Sequence, residues 1–321
     1  MIQRQVAVIV LNWNGKADTL SCLASLEACK EGAIVVVDNG STDGSVEAIR
    51  ASFPHITLLQ TGQNLGYAGG NNAGIEWALK EGFPYILILN NDTVVSPDLI
   101  TQFLRGFEKQ PDAGILGGKI LLYSDPKILD HLGGMWNQEK GAFDFIGQRA
   151  PASEWQEMIP LDYVCGAAIM VKRTVFETVG LFDPRFFLFW EESDLCFRAR
   201  KAGFGVYYCP EAELRHKVSA SFVGGKPHTS YFFWRNKLLW LERNLPFKER
   251  IRPSLQTLMR AAALYKLTLL GQLQLKIARL RGKPTKEKEA RIANYRACTC
   301  GVKDYLIRNF GAGSVERFLK K

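Results

Sequence analysis

Tyr85–Asp98 runs Tyr-Ile-Leu-Ile-Leu-Asn-Asn-Asp-Thr-Val-Val-Ser-Pro-Asp. Ile86 to Leu89 form a continuous apolar run, the pattern of a strand buried on both faces in a parallel sheet. The run stops at Asn90, Asn91 and Asp92. A helix start is expected just beyond, with Ser96 as N-cap, Pro97 at the first helical position and Asp98 in the first turn. In open α/β sheets, ligands gather outside the carboxyl ends of the strands. A carboxylate with two amides at such an end suits a hard cation and the oxygens of sugars or phosphates. The bland alternative is a polar turn with no ligand.

Three similar units precede this stretch. Val6–Leu11 reads as a buried strand ending on Asn12-Trp13-Asn14-Gly15, with a helix from about Lys16 to Ala28. Ile34–Val37 is a second strand, ending on Asp38-Asn39-Gly40-Ser41-Thr42-Asp43-Gly44-Ser45, where Ser45 is placed to cap a helix through Arg50. Ile56–Leu59 is a third, followed by a Gly- and Asn-rich loop from Gly62 to Asn72 and a helix closed by Gly82. Alternating strands and helices predict a doubly wound, mostly parallel sheet. One polar turn is unremarkable, but four at the same sheet edge make a pocket. The Gly-rich loop matches neither GxGxxG nor GxxxxGK[ST], so phosphate would be held in some other way.

Composition sets the frame. The chain has 321 residues, 47% of them hydrophobic, enough for one large α/β domain plus an appendage. The net charge of +9 is uneven: Phe247–Lys321 holds 18 Lys and Arg against 5 Asp and Glu, a net +13, whereas residues 1–246 come to −4. The domains read as a catalytic body over 1–246, halved near 112/113, and a basic helical extension over 247–321. Such an extension suits an anionic membrane surface or an anionic lipid-linked substrate. Nucleic acid fits less well, because the cations are not regularly interleaved with aromatics. Seven scattered cysteines, with a lone Cys298/Cys300 pair, point to reduced thiols and no zinc site. The apolar run at the N-terminus is too short for a signal peptide, and no stretch spans a bilayer. The expected location is cytoplasmic.

The middle of the chain carries a second polar cluster. Gly114–Pro160 is less regular, and Trp136, Phe143 and Phe145 there either wall a pocket or, the preferred reading, fill a core. Asp162–Val171 reads as a strand whose small residues allow close approach of another segment. Phe186-Phe187-Leu188-Phe189-Trp190 then leads into Glu191-Glu192-Ser193-Asp194, followed by helical spacing. Three carboxylates at a helix start are stabilised by the helix dipole without any chemistry, and Asp194 with Arg198 forms an i, i+4 ion pair. Alternatively, the aromatic run forms a water-poor wall that raises a carboxylate towards general-base range. His216 and Lys217 follow in a basic stretch that extends to Ser221, where a structural histidine competes with a phosphate or metal role. Downstream, an aromatic helix begins at Tyr231. A Leu- and Ala-rich segment from Leu255 to Leu280 is too charged to span a bilayer and reads as an interfacial or packed helix. After a basic hinge, a last pair of short helices is expected.

Together these residues resemble family 2 glycosyltransferases with the GT-A fold, in particular bacterial enzymes that transfer rhamnose and similar sugars in O-antigen, capsule or cell-wall polysaccharide assembly. The matching pieces are Val8–Gly15, Val36–Ser45, Asn64–Gly74, Leu87–Thr93, Cys165–Lys172, Gly180–Arg198 and His216, in the family's order over roughly residues 6 to 221. The resemblance implies that Asp38 reads the base or ribose of a nucleotide-diphosphate sugar. Asn12, Asn39, Ser41, Asp43, Asn64, Gly66, Asn71, Asn90, Asn91 and Lys217 would line the donor site. Asp92 matches the last position of the DxD-type motif and, with His216, would hold Mg²⁺ or Mn²⁺, Asn90 replacing the first Asp. Glu192 stands where the family has its general base, with Glu191 and Asp194 as substitutes, for direct inverting transfer. The implied acceptor is a glycan, often linked to polyprenyl diphosphate, reached at the membrane surface. Two rivals stand beside this. A sugar-1-phosphate nucleotidyltransferase would need a basic N-terminal phosphate loop, which Asn12–Gly15 is not. A non-catalytic nucleotide-sugar or glycan-binding module would bind nucleotide without turnover.

Overall fold

The computed structural model describes residues 5–29, 31–218, 226–282 and 284–319; Ser219–Ser221, counted above with the polar stretch after His216, lie outside these. The chain divides into two compact units. The first takes in residues 1–137, 142–184 and 191–218, and the second residues 138–141, 185–190 and 219–321.

In the first unit the elements run β1 (Val6–Asn12), α1 (Lys16–Leu26), β2 (Gly32–Asp38), α2 (Ser45–Ser52), β3 (Thr57–Gln60), α3 (Gly66–Lys80), β4 (Tyr85–Asn90), β5 (Thr93–Val95), α4 (Leu99–Lys109) and β6 (Ala113–Leu122). Then follow β7 (Gly133–Asn137), β8 (Ala142–Ile146), β9 (Ile159–Pro160), β10 (Tyr163–Val164), β11 (Ala168–Lys172), α5 (Arg173–Val179), α6 (Glu191–Lys201) and β12 (Gly205–His216). The main sheet has the order β3-β2-β1-β4-β11-β6-β12-β5, with β9 beside β12. β1 pairs in parallel with β2 and β4, and β2 with β3, so these four strands end at one edge. β11 enters antiparallel between β4 and β6.

The apolar runs are apolar because both faces are covered. In β1, Val6, Val8 and Val10 join a core shared with Leu23, Leu26, Ile49 and Phe103. Ala7 and Ile9 join the opposite core with Ile75, Leu195 and Ala199. The two-residue alternation of a strand thus feeds two cores at once. Helix α3 lies close because Gly74 has no side chain: a Cβ there would sit 2.6 Å from Ile9 Cγ2.

Five expectations need correction. Phe145, read with Trp136 and Phe143 as core, is about half exposed on β8. The helix after Asp92 starts at Leu99 with Asp98 at the N-cap, not at Ser96. The chain is still extended there, since β5 pairs with β12 and Ser96 N–H donates to the Glu213 carbonyl at 3.2 Å. Ser45 opens α2 rather than capping it, the cap position being Gly44 in the left-handed region. The strand expected over 162–171 is two strands: β10 pairs with β7 in a separate three-stranded sheet, and β11 crosses into the main sheet. The final helices are unequal, since α9 is 21 residues long.

The second unit holds α7 (Pro227–Asn244), α8 (Phe247–Leu280), α9 (Lys286–Leu306) and α10 (Glu316–Leu319). α7 and α8 both pack on α9. Among the described residues no helix is long and apolar enough to cross a membrane.

Candidate active site

Parallel register brings the first site residues together. Asn12 and Asp38 are register partners at the ends of β1 and β2, and Asn90 ends the neighbouring β4 opposite Leu11. Asn12 is fully buried and works as a junction. Its Nδ2 donates to Asp38 Oδ2 at 2.8 Å and to Ser41 Oγ at 3.0 Å, while its Oδ1 accepts from Thr19 Oγ1 at 2.7 Å. Thr19 Oγ1 accepts in turn from Asn91 Nδ2 at 2.8 Å. A single hydrogen-bonded chain therefore runs from Asp38 to Asn91 along the strand ends. Asp38 Oδ1 also accepts from Ser41 N–H at 3.0 Å, closing the loop after β2.

Several of the other donor-site candidates hold the loops themselves. Asp43 accepts from the N–H groups of Lys16 and Ser45 and from the Ser45 hydroxyl. These bonds keep its carboxyl below the usual carboxylate range against the opposing pull of desolvation. Asn39 Nδ2 donates to Asn64 Oδ1 and to the Gly66 carbonyl, and Asn64 Oδ1 accepts from Gly66 N–H at 2.8 Å. Gly66 itself has φ +74°, a left-handed turn that opens α3. Asn71 is fully buried in α3, its amide donating to the Tyr67 carbonyl one turn back. The Asn90 carbonyl accepts from Thr93 Oγ1 at 2.7 Å. Lys217 Nζ meets Asp18 Oδ1 at 2.8 Å, above the Tyr123 ring.

His216 ends β12, where it pairs with Thr93 of β5 and lies next to Asp92. Its Nε2 is 3.1 Å from Asp92 Oδ1 and its Nδ1 is 2.9 Å from Asp130 Oδ2. All three residues are nearly sealed from solvent, none more than 9% exposed. Burial alone would push the imidazole down, but hydrogen bonds to Asp130 and Asp92 and the charge of Asp92 outweigh it and hold His216 at about 10. Asp130 lies below the usual carboxylate range, desolvation being outweighed by its bond to His216 and by neighbouring cations.

Glu192 stands in the first turn of α6. A Cβ at Gly166 would lie 3.6 Å from Glu192 Oε1 and 3.4 Å from Tyr67 Oη, ordinary contact distances that place both side chains beside this glycine. Tyr67 donates to the Gly166 carbonyl at 2.7 Å. Burial, and then the charges of Glu192 and Glu191, push the Tyr67 phenol well up. Burial likewise lifts the neighbouring Cys165 thiol to about 12, where His216, Asp130 and Glu192 all act on it. The same three groups act on His131, whose imidazole burial pushes down. Glu192, Asp130 and His216 therefore all lie near Cys165 and His131. Asp194 is fully buried and takes the i, i+4 arrangement, accepting from Arg198 Nε at 2.8 Å. Arg198 in turn donates to the carbonyls of Val179 and Leu181, which makes Asp194 an anchor for the approach to α6.

Sequence reasoning missed Asp130, Thr19 and Tyr67. Asp130 lies in the irregular stretch and reaches the site only because its N–H donates to the Ile120 carbonyl at 2.8 Å, laying it beside β6. A divalent cation shared by Asp92 and His216 would have to displace the Nε2 proton that Asp92 accepts, since a ligating imidazole is neutral. Mg²⁺-type sites commonly use one or two protein groups and complete their shell with substrate phosphates. Asp130 on the far ring nitrogen is the usual outer partner of a ligating histidine. Among the described residues no group of three or more His, Cys, Asp or Glu forms a closed metal cage.

Comparison with known proteins identifies the family and the fold. A profile of the family described as "Glycosyltransferase like family 2" matches residues 3–240. An N-acetylglucosaminyl-diphospho-decaprenol L-rhamnosyltransferase of Mycobacterium tuberculosis is 31% identical, the match covering 69% of this chain and 83% of that one. A dTDP-rhamnosyl transferase of Shigella flexneri is 23% identical over 74% of this chain and 80% of its own. A mannosyltransferase of Pyrobaculum calidifontis, solved with GDP-Man and Mn²⁺, has a TM-score of 0.55 at 16% identity, covering 94% of this chain and 87% of that one. The last is a likeness of fold. The chain belongs to the family 2 glycosyltransferases, with the α/β GT-A architecture and C-terminal helices.

Proposed function

We propose that this glycosyltransferase moves a hexose or deoxyhexose, rhamnose foremost, from a nucleoside diphosphate to a hydroxyl of a polyprenyl-diphosphate-linked glycan, with inversion. The observation that carries the reading is that Glu192 and the His216–Asp130 pair, which holds Asp92, lie close enough to the same two side chains, Cys165 and His131, to act on both. The relatives' names supply the sugar and the class of acceptor.

In this reading Asp38, Asn12 and Ser41 receive the nucleoside at the ends of β1 and β2. Lys217 lies near the diphosphate. Glu192 accepts the proton of the acceptor hydroxyl through its carboxylate oxygen as the hydroxyl oxygen bonds to the anomeric carbon. The bond from that carbon to the diphosphate breaks on the opposite face, and the nucleoside diphosphate leaves with the electron pair. Asp92 and His216 would hold Mg²⁺ or Mn²⁺, which when bound supplies positive charge against the departing diphosphate. Asp130 keeps His216 Nδ1 engaged and so turns Nε2 towards Asp92.

Membrane contact belongs to the same proposal. α8 turns its small residues inward, with Thr257, Ala261, Thr268 and Gly271 buried, while Leu269, Leu270, Leu273 and Leu280 are exposed. A basic extension that displays leucines suits the surface of an anionic bilayer. The test is a panel of dTDP-, UDP- and GDP-sugars with Mg²⁺ or Mn²⁺ and a prenyl-diphosphate-linked N-acetylglucosamine acceptor. Release of nucleoside diphosphate that requires acceptor supports transfer. Thermal stabilisation by nucleotide with no turnover across the panel would support the binding-only rival.

A further inference from the structure

Beside Glu192 the first unit carries a histidine that the transfer described above leaves unused. His131 follows Asp130 in the chain, and backbone pairing brings it to the base. β10 runs antiparallel to β7, Tyr163 opposite Gly134 and Val164 opposite Gly133. Cys165 N–H donates to the Leu132 carbonyl at 3.1 Å, which carries the pairing one step further. The next step in the same register sets Gly166 level with His131. Gly166 is also the residue beside which Glu192 Oε1 lies, 3.6 Å from the place of a Cβ. His131 and Glu192 are therefore neighbours of one glycine, and all of these residues belong to the first unit.

His131 Nδ1 is buried and meets no hydrogen-bond partner among the described residues. A buried ring nitrogen is costly unless something supplies the missing bond. Burial pushes the imidazole down against the pull of Asp130 and Glu192. At neutral pH the ring is thus uncharged, with one nitrogen to donate and one to accept. It packs edge-on against Phe145, centroids 5.3 Å apart and planes 70° apart. Phe143, on the same face of β8, is packed between Trp136 and Tyr163, whereas Phe145 leaves about half its surface open. An open aromatic ring beside a hydrogen-bonding nitrogen suits a sugar, the ring covering its apolar face and the nitrogen meeting a hydroxyl. Glu192 takes its proton from the acceptor, so groups beside Glu192 meet the acceptor rather than the nucleoside end of the donor. We propose that His131 and Phe145 hold the acceptor sugar, Phe145 against its apolar face and His131 Nδ1 in a hydrogen bond with a hydroxyl next to the attacking one. This rests on Glu192 being the base of the transfer.

The test loads the full-length chain with dTDP and titrates it calorimetrically with a water-soluble, short-prenyl diphospho-N-acetylglucosamine, beside turnover with dTDP-rhamnose. His131→Ala should raise acceptor Kd and KM by about tenfold, the worth of one hydrogen bond to a buried partner, with dTDP Kd and donor KM within about threefold. Phe145→Ala, at a half-exposed site, should weaken acceptor binding by about fivefold or more, and Phe145→Trp should restore it. His131→Asn, which keeps a donor and an acceptor, should recover part of the loss. Unchanged acceptor affinity in both alanine variants, or a wild type that binds no acceptor, overturns the inference. A loss confined to donor KM also overturns it, by placing the pair on the transferred sugar. Donor and acceptor affinity falling together with Tm would make the pair structural and overturn it too. If His131→Ala does not fold, Phe145→Ala and its tryptophan rescue decide. Acceptor binding that the alanine variants weaken, with no turnover in the wild type, would instead remove the transfer reading and leave the sugar platform standing.

Discussion

At the rim of the first unit, polar side chains meet one another: Asn12, Asp38, Ser41, Thr19 and Asn91 form one hydrogen-bonded run, and Asp92, His216 and Asp130 form another. Along α8 of the second unit the pattern is reversed. Its buried stripe is mostly small, Thr257, Ala261, Thr268 and Gly271 beside Pro253 and Leu275, and Leu269, Leu270 and Leu273 lie outward, each about half exposed or more. A rim built this way has its geometry settled before any ligand arrives, because buried polar groups left unpartnered are costly. A helix built like α8 leaves its largest apolar area uncovered. The difference teaches where chemistry and where attachment should be sought.

Breaking the rim should have the largest effects. Glu192→Gln is expected to fold and bind donor while losing transfer by about 10²–10⁴-fold, read by nucleoside diphosphate release beside a dTDP titration. Asp130→Asn leaves Asp92 and His216 in place but weakens the orientation of the imidazole. Mg²⁺-dependent turnover should fall by about 10–100-fold, measured as activity against Mg²⁺ concentration. Asn12→Ala strips partners from both Asp38 and Thr19. A cost of about 1–3 kcal/mol is expected, seen as a lower Tm together with a raised donor KM. The smallest effect on chemistry comes from α8. Leu269→Glu with Leu273→Glu should weaken pelleting with phosphatidylglycerol vesicles by about tenfold or more, at about 1.5–3 kcal/mol for each leucine that would be buried in the bilayer. Transfer to a water-soluble acceptor should be unchanged. If the α8 variant instead lost soluble-acceptor turnover, or a rim variant lost vesicle binding, the division of labour drawn here would fail.

The first unit was readable because its signals are local. Buried parallel strands announce themselves as apolar runs, and parallel pairing sends their polar ends to one edge without further information. Asp38, Asn12 and Asp92 follow from that alone. Asp130 does not, because a lone aspartate in an irregular stretch acquires meaning only when Leu129 bridges to Leu121 and its own N–H finds Ile120. The aromatic run before Glu191 was read as a wall for a carboxylate, yet Phe187 and Trp190 pack on Phe232, Phe233 and Trp240 of α7. Their backbone path, with Phe187, Phe189 and Trp190 all in the left-handed region, leaves no mark in composition or periodicity. Arg235 and Asn236 of α7, which donate to carbonyls between Arg185 and Phe189, likewise looked like ordinary members of an aromatic helix, since a side chain that binds carbonyls forty or fifty residues away has no partner visible nearby in sequence.

The narrow inner stripe of α8 has one more consequence. Gly271 lies so near Ile292 of α9 that a Cβ there would come within 2.8 Å of two of its carbons. Such a tight notch lets the two helices mesh in one phase, like gear teeth, and fixes which way every outward residue points. The exposed leucines of α8 are thus independent of the approach that locks α8 on α9, and they can be exchanged while that interior mesh stays intact.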